Sequence, residues 1–264
     1  MQTDDLETHS TAQLVDLALS VDDEDHGRWD AVRALQDRGD CDVIDAARRL
    51  CDSAEPRYRC LGVDILAQGQ AWTKTLHDDA VPLLLHMLER EVEPSVLYSI
   101  VMALGHTRDT RAVKPILALR RHPDANVRFG VVFGLLGSDD DWAVETLIEL
   151  SADVDSDVRD WATFGLGTQI NRETPALRDA LVRRLNDTDL DAREEAVVGL
   201  ARRRDERVLT ALVEAIHDGC VGDRPQDAVE HFRHPAVLVA LGKSRERMHV
   251  ETRAWADTVL QDRT

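Results

Sequence analysis

An arginine recurs along the chain with the same neighbours each time, and this register limits the possible folds more than any other feature of the sequence. In each copy an acidic residue lies four positions before the arginine, and a leucine lies seven positions after it. The arginines are Arg28, Arg59, Arg128, Arg159 and Arg193, and a sixth copy carries Leu97 at the same position. Successive copies lie 31, 38, 31, 31 and 34 residues apart. A period of this length is typical of stacked two-helix units.

The segment from Asp139 to Gly167 shows how one unit is expected to fold. Apolar residues spaced for one helical face predict a first helix over about Trp142–Ala152. Asp155 is predicted to cap a second helix, because its carboxylate can accept hydrogen bonds from the exposed amides of the first turn. The second helix is expected over Val158–Leu166, where a glycine follows and ends it.

Two positions that recur in the second helix of each copy predict how neighbouring helix pairs pack. The recurring arginine lies at the edge of the apolar face, where it is expected to pair with an acidic residue of the adjoining turn. A row of anion-binding sites is the alternative, and the acids close in sequence favour the ion pairs. Six positions after the arginine, three successive copies have glycine, at Gly134, Gly165 and Gly199. Because glycine lowers helix propensity, this column predicts a close approach between neighbouring helices.

The blocks DANVRFGVVFGLLG, DSDVRDWATFGLG and LDAREEAVVGLA carry a family resemblance. They resemble bacterial HEAT-like repeats, the type also found in phycobilin lyases, and the resemblance covers about Glu24–Asp218. Register and resemblance together predict an all-α fold, a right-handed α-solenoid of about six to seven two-helix repeats that form an armadillo-like superhelix. Such arrays generally bind proteins, so the resemblance implies interaction more than catalysis.

The pattern also predicts how the chain is divided. Residues 1–218 are expected to form the repeat array, including an N-terminal capping helix at Thr11–Leu19. Residues 219–264 are expected to form an irregular connection, a degenerate repeat and a capping helix over about Met248–Gln261, continuous with the array. The degenerate repeat would place Glu230, His234 and Leu241 at the acid, arginine and leucine positions.

Composition narrows the classes of function. The formal net charge of −18 disfavours nucleic acid as a partner, because such a surface repels phosphate backbones. The first residues do not resemble a signal peptide, and no apolar run approaches membrane-spanning length, so a soluble, cytoplasmic protein is expected. Cys41, Cys51 and Cys60 fall on predicted helices at positions expected to be small and apolar, and free buried thiols suit a reducing compartment.

The sequence lacks clear signs of three kinds of chemical site: an iron site of His-Glu pairs, a DNA glycosylase site and a separate metal site. Deoxyhypusine hydroxylases use His-Glu pairs as iron ligands, and none of the ten histidines is followed by glutamate. HEAT-like DNA glycosylases use tryptophan and aspartate with a basic groove. Asp160 and Trp161 are adjacent, so they point about 100° apart on a helix. Cys220, His231 and His234 could form a metal site, but the same stretch is also typical of an ordinary surface loop. The surface loop is the favoured interpretation. No catalytic residue, metal or cofactor is therefore expected.

The most specific site prediction comes from the outward positions of the second helices, one and five residues after the arginine. Large apolar side chains from three neighbouring repeats fall there, with acids beside them. The predicted partner-binding residues are Tyr98, Met102, Phe129, Phe133, Asp160, Phe164 and Glu194. Apolar patches with a polar rim usually mark interaction sites. Packing of the same side chains against the next repeat is the alternative.

The sequence therefore favours a non-catalytic scaffold that binds a protein partner through an apolar, acid-rimmed concave face. The complementary partner segment carries apolar and basic residues. The alternative is an accessory or lyase-like enzyme subunit, or a relative of the HEAT-like DNA glycosylases, which the charge and the missing motif disfavour.

Overall fold

The computed structural model of the chain describes residues 3–21, 26–67, 74–218 and 223–261. Across these ranges it contains α-helices, short 3-10 and π turns, and no β-strand. The odd-numbered helices, which come first in each pair, are α1 Thr11–Ser20, α3 Cys41–Cys51, α5 Lys74–Leu88, α7 Thr110–Ala118, α9 Asp141–Leu150, α11 Pro175–Arg184, α13 Leu209–His217 and α15 Pro235–Ser244. The even-numbered helices are α2 His26–Arg38, α4 Pro56–Ala67, α6 Pro94–Thr107, α8 Ala125–Leu135, α10 Ser156–Phe164, α12 Leu190–Arg202, α14 Asp223–His231 and α16 Val250–Gln261.

The chain divides into two compact units, residues 1–134 and residues 135–264. In the first unit α2 packs on α4 and α4 packs on α6, while α1 contacts α3. In the second unit α10 packs on α12 and α12 packs on α14, while α13 contacts α15. In these cases a helix meets its equivalent in the next pair, as in a repeat array. The predicted all-α solenoid is confirmed, and the described residues contain eight helix pairs, more than the six to seven expected.

The helix starts follow from capping chemistry. Asp155 accepts hydrogen bonds from the amides of Asp157 and Val158, so the predicted cap is confirmed, and Asp189 repeats it by accepting one from Ala192. Glu93 occupies the same position before α6, but its side chain caps no amide. The proline after it removes one amide that would have needed a partner.

The leucine column forms the core of both units. All six leucines, seven positions after each anchor residue, are buried: Leu35, Leu66, Leu104, Leu135, Leu166 and Leu200. Burying a leucine side chain stabilises a fold by roughly 1.5–3 kcal/mol. Burial of these leucines therefore explains why the seven-residue spacing recurs in helix pairs whose other positions differ.

The predicted close approach at the glycine column is confirmed, most clearly at Gly199. A Cβ atom built on Gly199 would lie 2.6 Å from the Cα of Gly167, which belongs to the π turn Gly165–Gln169 after α10. A Cβ atom built on Gly134 would lie 3.1 Å from a methyl group of Ile116. One built on Gly165 would lie 3.0 Å from a methyl group of Leu136. Backbone meets backbone at Gly199, so glycine is needed there for space.

The recurring arginine joins two successive turns. Arg159 donates to the backbone oxygens of Asp153 and Val154 in its own turn, and to the carboxylate of Asp187 in the next. Burial alone would raise the pKa of Asp187, but the hydrogen bonds from Arg159 and from the Asp189 amide hold that pKa below its ordinary value. The predicted pairing with an acid of the adjoining turn is confirmed here.

Two other arginines complete this picture in the first unit. Arg59 repeats the arrangement, with Ser53 and Ala54 oxygens in its own turn and Glu91 in the next, at 2.8 Å. Arg28 instead pairs with Asp64 on the neighbouring helix α4. These contacts support a structural role for the arginines rather than a row of anion sites.

The C-terminal region departs from the expected register. His234 is the N-cap of α15, where its Nδ1 accepts the Ala236 amide, and Pro235 is the first helical residue. The assignment of His234 to an arginine position is therefore wrong, because α15 is a first helix of a pair rather than a second one. The expected division of the chain at residue 218 stays a prediction, and residues 219–222 lie outside the described ranges.

The cysteines only partly follow the expectation of burial. Cys51 is buried, and its desolvation raises the pKa of the thiol to about 12. Cys60 is partly buried, whereas Cys41 is exposed because it is the first residue of α3. The expectation was wrong for Cys41, and Cys220 falls outside the described residues.

Candidate functional site

A groove of about 900 Å³ runs over α2, α4, α6 and the start of α8 in the first unit. Its apolar lining comes from Trp29, Val32, Pro94, Tyr98 and Met102. Trp29 is 45% exposed, which is high for a side chain of this size. The groove therefore offers aromatic surface to a ligand without any rearrangement of the core.

The floor of the groove is held by a buried ion pair. Arg28 is only 3% exposed, and its Nη2 lies 2.8 Å from Oδ2 of Asp64. The same guanidinium lies 4.9 Å from the centre of the Trp29 ring, which is the geometry of a cation–π contact. Arg28 thus ties α2 to α4 and fixes the orientation of the exposed tryptophan.

Acidic groups lie along the groove beside this pair. Glu93 and Asp124, at the starts of α6 and α8, line it together with Arg33 of α2. The Asp124 carboxylate accepts the amide of Val127 at 3.2 Å, as a cap, and Glu93 makes no such bond. A positively charged group bound in the groove would interact favourably with the carboxylates of Glu93 and Asp124.

Four of the predicted site residues belong to this unit, and all four are partly buried. The ring centres of Tyr98 and Phe129 are 6.4 Å apart, and Phe133 meets His106 edge-on at 4.9 Å. Burial raises the pKa of Tyr98, with a smaller contribution from Asp64, and lowers the pKa of His106. Tyr98 and Met102 line the groove, and Phe129 supports Tyr98 from the next helix.

The other three predicted residues belong to the second unit. Phe164 packs edge-on against the exposed Trp161, with ring centres 5.7 Å apart. Glu194 lines a smaller cavity of about 310 Å³ with Leu190 and Val197. Whether Asp160, Phe164 and Glu194 act in one binding surface with Tyr98 and Met102 stays a prediction.

The second unit also contains a cluster of charges that the sequence did not reveal. Arg224 of α14 pairs with three acids of α12: its Nε is 2.7 Å from Glu195, its Nη1 is 3.5 Å from Glu194, and it also pairs with Asp191. Asp160 of α10 acts on the same group of charges. Arg224 was missed because it falls in the connection after residue 218 that was expected to be irregular, and Glu195 because no role was predicted for its helix position.

Burial changes the proton affinity of two members of this cluster. Desolvation raises the pKa of Glu195 to about 7 against the opposing effect of Arg224. Desolvation likewise raises the pKa of Asp160 to about 6, with repulsion from Asp191 and Asp189 adding to it and Arg224 opposing it. Burial thus raises the pKa of both carboxyl groups above their ordinary values.

The histidines considered for metal binding have other contacts. His231 lies 3.3 Å from Asp227 on its own helix, and His234 caps α15. The described part of the chain contains no group of three or more potential ligands placed to hold a metal ion. It also contains no helix that is long and apolar enough to cross a membrane.

Comparison with known proteins defines the class to which this fold belongs. A family model for HEAT repeats matches residues 81–167 and 144–233, which together span more than half of the chain. The chain therefore belongs to the HEAT-repeat family, as its sequence blocks indicated. No curated protein matches the sequence at a significant level.

Two solved structures with TM-scores above 0.5 show the same fold, and a third similarity is weaker. YibA from Escherichia coli is similar over 98% of this chain and 95% of its own, with a TM-score of 0.81 and 23% identity. An engineered protein is similar over 95% of this chain and 77% of its own, with a TM-score of 0.55 and 18% identity. The complex of CpcE and CpcF of phycocyanin lyase from Nostoc gives a TM-score of 0.47 and 18% identity over 96% of this chain and 94% of that one.

Proposed function

We propose that this chain is a HEAT-repeat scaffold that binds a segment of a protein partner in the groove of its first unit. The observation that carries the proposal is the open lining of Trp29, Tyr98 and Met102. Aromatic side chains dominate binding free energy where a partner removes them from water. Repeat arrays present surfaces of this kind along their stacked helices.

The charges in and around the groove define the chemistry of the partner. Asp64 is already paired with Arg28, which leaves Glu93 and Asp124 to meet an incoming group. The formal net charge of −18 speeds the approach of a basic partner and slows that of nucleic acid. The proposed ligand is a polypeptide segment with apolar side chains for the groove and lysine or arginine beside them.

The wider surface predicted from the sequence belongs to the same proposal. Phe129 and Phe133 would shape the wall beside Tyr98, since each already contacts a side chain of α6. Asp160, Phe164 and Glu194 are proposed as partner contacts on the second unit. Their contribution is an addition to the groove, and the proposal does not depend on it.

A catalytic role has one observation in its favour, the raised pKa values of Asp160 and Glu195. Perturbed carboxyl groups often serve as general acids or bases. Such a group must reach a substrate proton, however, and Glu195 is 5% exposed while Oδ1 of Asp160 is buried. The scaffold is therefore the better supported function.

The test is a selection of short peptides from a display library on the wild-type chain, followed by measurement of Kd on variants. The double variant Tyr98→Ser, Met102→Ser should weaken binding about 10–100-fold, because both side chains line the groove. Helical content and melting temperature should stay close to wild type, since both residues are only partly buried.

Tyr58→Ser is the matched control, because Tyr58 is 41% exposed and lies outside the groove. It should leave Kd unchanged. Selection of no binder, or of peptides that bind the double variant as tightly as wild type, would overturn the proposal.

A further inference from the structure

Three neighbouring helices of the second unit bring five charged groups together. Asp160 comes from α10, Asp191, Glu194 and Glu195 come from α12, and Arg224 comes from α14. Three of these carboxyl groups, those of α12, pair with the Arg224 guanidinium, and its charge also acts on Asp160. Asp157 on α10 and Asp189 before α12 add further negative charge around Asp160.

Two carboxyl groups of this cluster have oxygens removed from water. Glu195 is 5% exposed and has Arg224 as its ion-pair partner. Oδ1 of Asp160 is buried and has no hydrogen-bond partner. A buried carboxylate oxygen without a hydrogen-bond partner is costly, and the cost falls when the group takes up a proton and becomes neutral.

We propose that Asp160 and Glu195 form a coupled proton-binding pair that makes the packing of α10 on α12 sensitive to pH near neutrality. Solvent supplies the proton, which binds to a carboxyl oxygen of the pair. With the proton bound, one negative charge is removed from the α10–α12 contact, and Arg224 still pairs with Asp191. When the proton leaves, Asp160 and Glu195 repel each other across the contact.

The sign of the effect follows from the direction of the shifts. The ordinary pKa values of 3.8 for Asp160 and 4.5 for Glu195 rise on folding to about 6 and about 7, with burial as the main cause. The folded chain therefore holds more protons than the unfolded chain between these limits. The contribution to stability is complete below the unfolded values, and it is lost as the pH rises through the folded ones.

The test is a pH titration of the side-chain carboxyl carbons by NMR on the full-length, ¹³C-labelled protein. The pair should titrate with midpoints near pH 6 and 7, as macroscopic values of two coupled groups. Asp160→Asn should lower the midpoint of Glu195, because it removes the repulsion between them. Arg224→Gln should raise both midpoints, because Arg224 stabilises both charged forms.

Glu145→Gln is the control, because Glu145 is an exposed carboxyl group on the neighbouring helix α9. It should leave both midpoints in place. Titration of both groups below pH 5 in the wild type would overturn the proposal even if a variant failed to fold. A Glu195 midpoint that does not change in Asp160→Asn would overturn the coupling.

Discussion

At the scale of the residue, the recurring arginine connects three acceptor groups at once. Arg159 meets two backbone oxygens of its own turn and a carboxylate of the next, and Arg59 does the same. The acid it reaches, Asp187 or Glu91, also accepts the amide of the residue two positions later. Five donors in one planar group make this possible, and a lysine ammonium lacks that geometry.

Replacing Arg159 should therefore destabilise the second unit. Arg159→Met leaves the buried Asp187 carboxylate with Arg184 as its remaining ion-pair partner, and we expect a loss of about 2 kcal/mol in the free energy of unfolding. Arg159→Lys keeps the charge but loses the forked hydrogen bonds, so about 1 kcal/mol should be lost. Urea unfolding measures both changes.

The exposed Arg183 provides the control, and Arg183→Met should unfold at the wild-type urea concentration. Equal stability of wild type and Arg159→Met would contradict the structural role. The loss in Arg159→Met should also shrink as the pH falls through the lowered pKa of Asp187, because the protonated carboxyl group no longer needs the arginine.

The sequence predicted the kind of partner that this arginine has, but not which residue. Acids flank each arginine in the chain, so an ion pair was expected. The acid four positions before Arg159, Asp155, caps the helix instead. The arginine reaches Asp187 in the corresponding turn of the next helix pair. The choice depends on the stacking distance between turns, which the linear pattern does not contain.

At the scale of the element, the packing of α12 depends on a glycine where two backbones touch. Gly199 faces Gly167 across the stack, and the π turn that contains Gly167 is stabilised by Arg203, which donates to backbone oxygens of Leu166 and Gly167. This contact sets how closely α12 approaches the end of α10. Helix propensity alone would favour a different residue at this position.

Two glycine-to-alanine substitutions distinguish the effect of helix propensity from the effect of close backbone packing. Gly199→Ala should lower the free energy of unfolding by about 1–3 kcal/mol, since its Cβ would lie 2.6 Å from a backbone carbon. Gly242→Ala should raise it by about 0.5–1 kcal/mol, because that glycine lies in α15 with open space around it. Thermal unfolding measures both, and a stabilising Gly199→Ala would contradict the close approach.

Most helices could be predicted from the sequence because capping acids and the apolar period agree. The helix predicted over Val158–Leu166 is α10 at Ser156–Phe164, and the predicted N-terminal helix is α1. The assignment failed around His234, because a histidine, like an aspartate, can cap a helix. The glycine and proline residues between 219 and 225 also suggested a break, but Pro225 lies in the first turn of α14, Asp223–His231.

At the scale of the whole molecule, each unit has its own stacked helices and its own candidate site. The first unit contains the groove with Trp29, Tyr98 and Met102, and the second contains the Arg224 cluster. The sequence predicted Tyr98 and Met102 because they point away from the leucine core. It could not show that Asp64 of α4 holds Arg28 beside Trp29, or that Phe129 supports Tyr98, since the Arg28–Asp64 and Tyr98–Phe129 contacts join different helices.

The most direct measurement is ¹⁹F NMR of the chain labelled with 5-fluorotryptophan, during titration with a peptide selected on the wild type. Trp29 lies in the groove, and Trp142 is 65% exposed in the second unit. The proposed function predicts that the Trp29 resonance, assigned with Trp29→Phe, shifts with the peptide concentration while the Trp142 resonance stays in place. Saturation of binding with the Trp29 resonance unmoved would contradict the groove as the binding site.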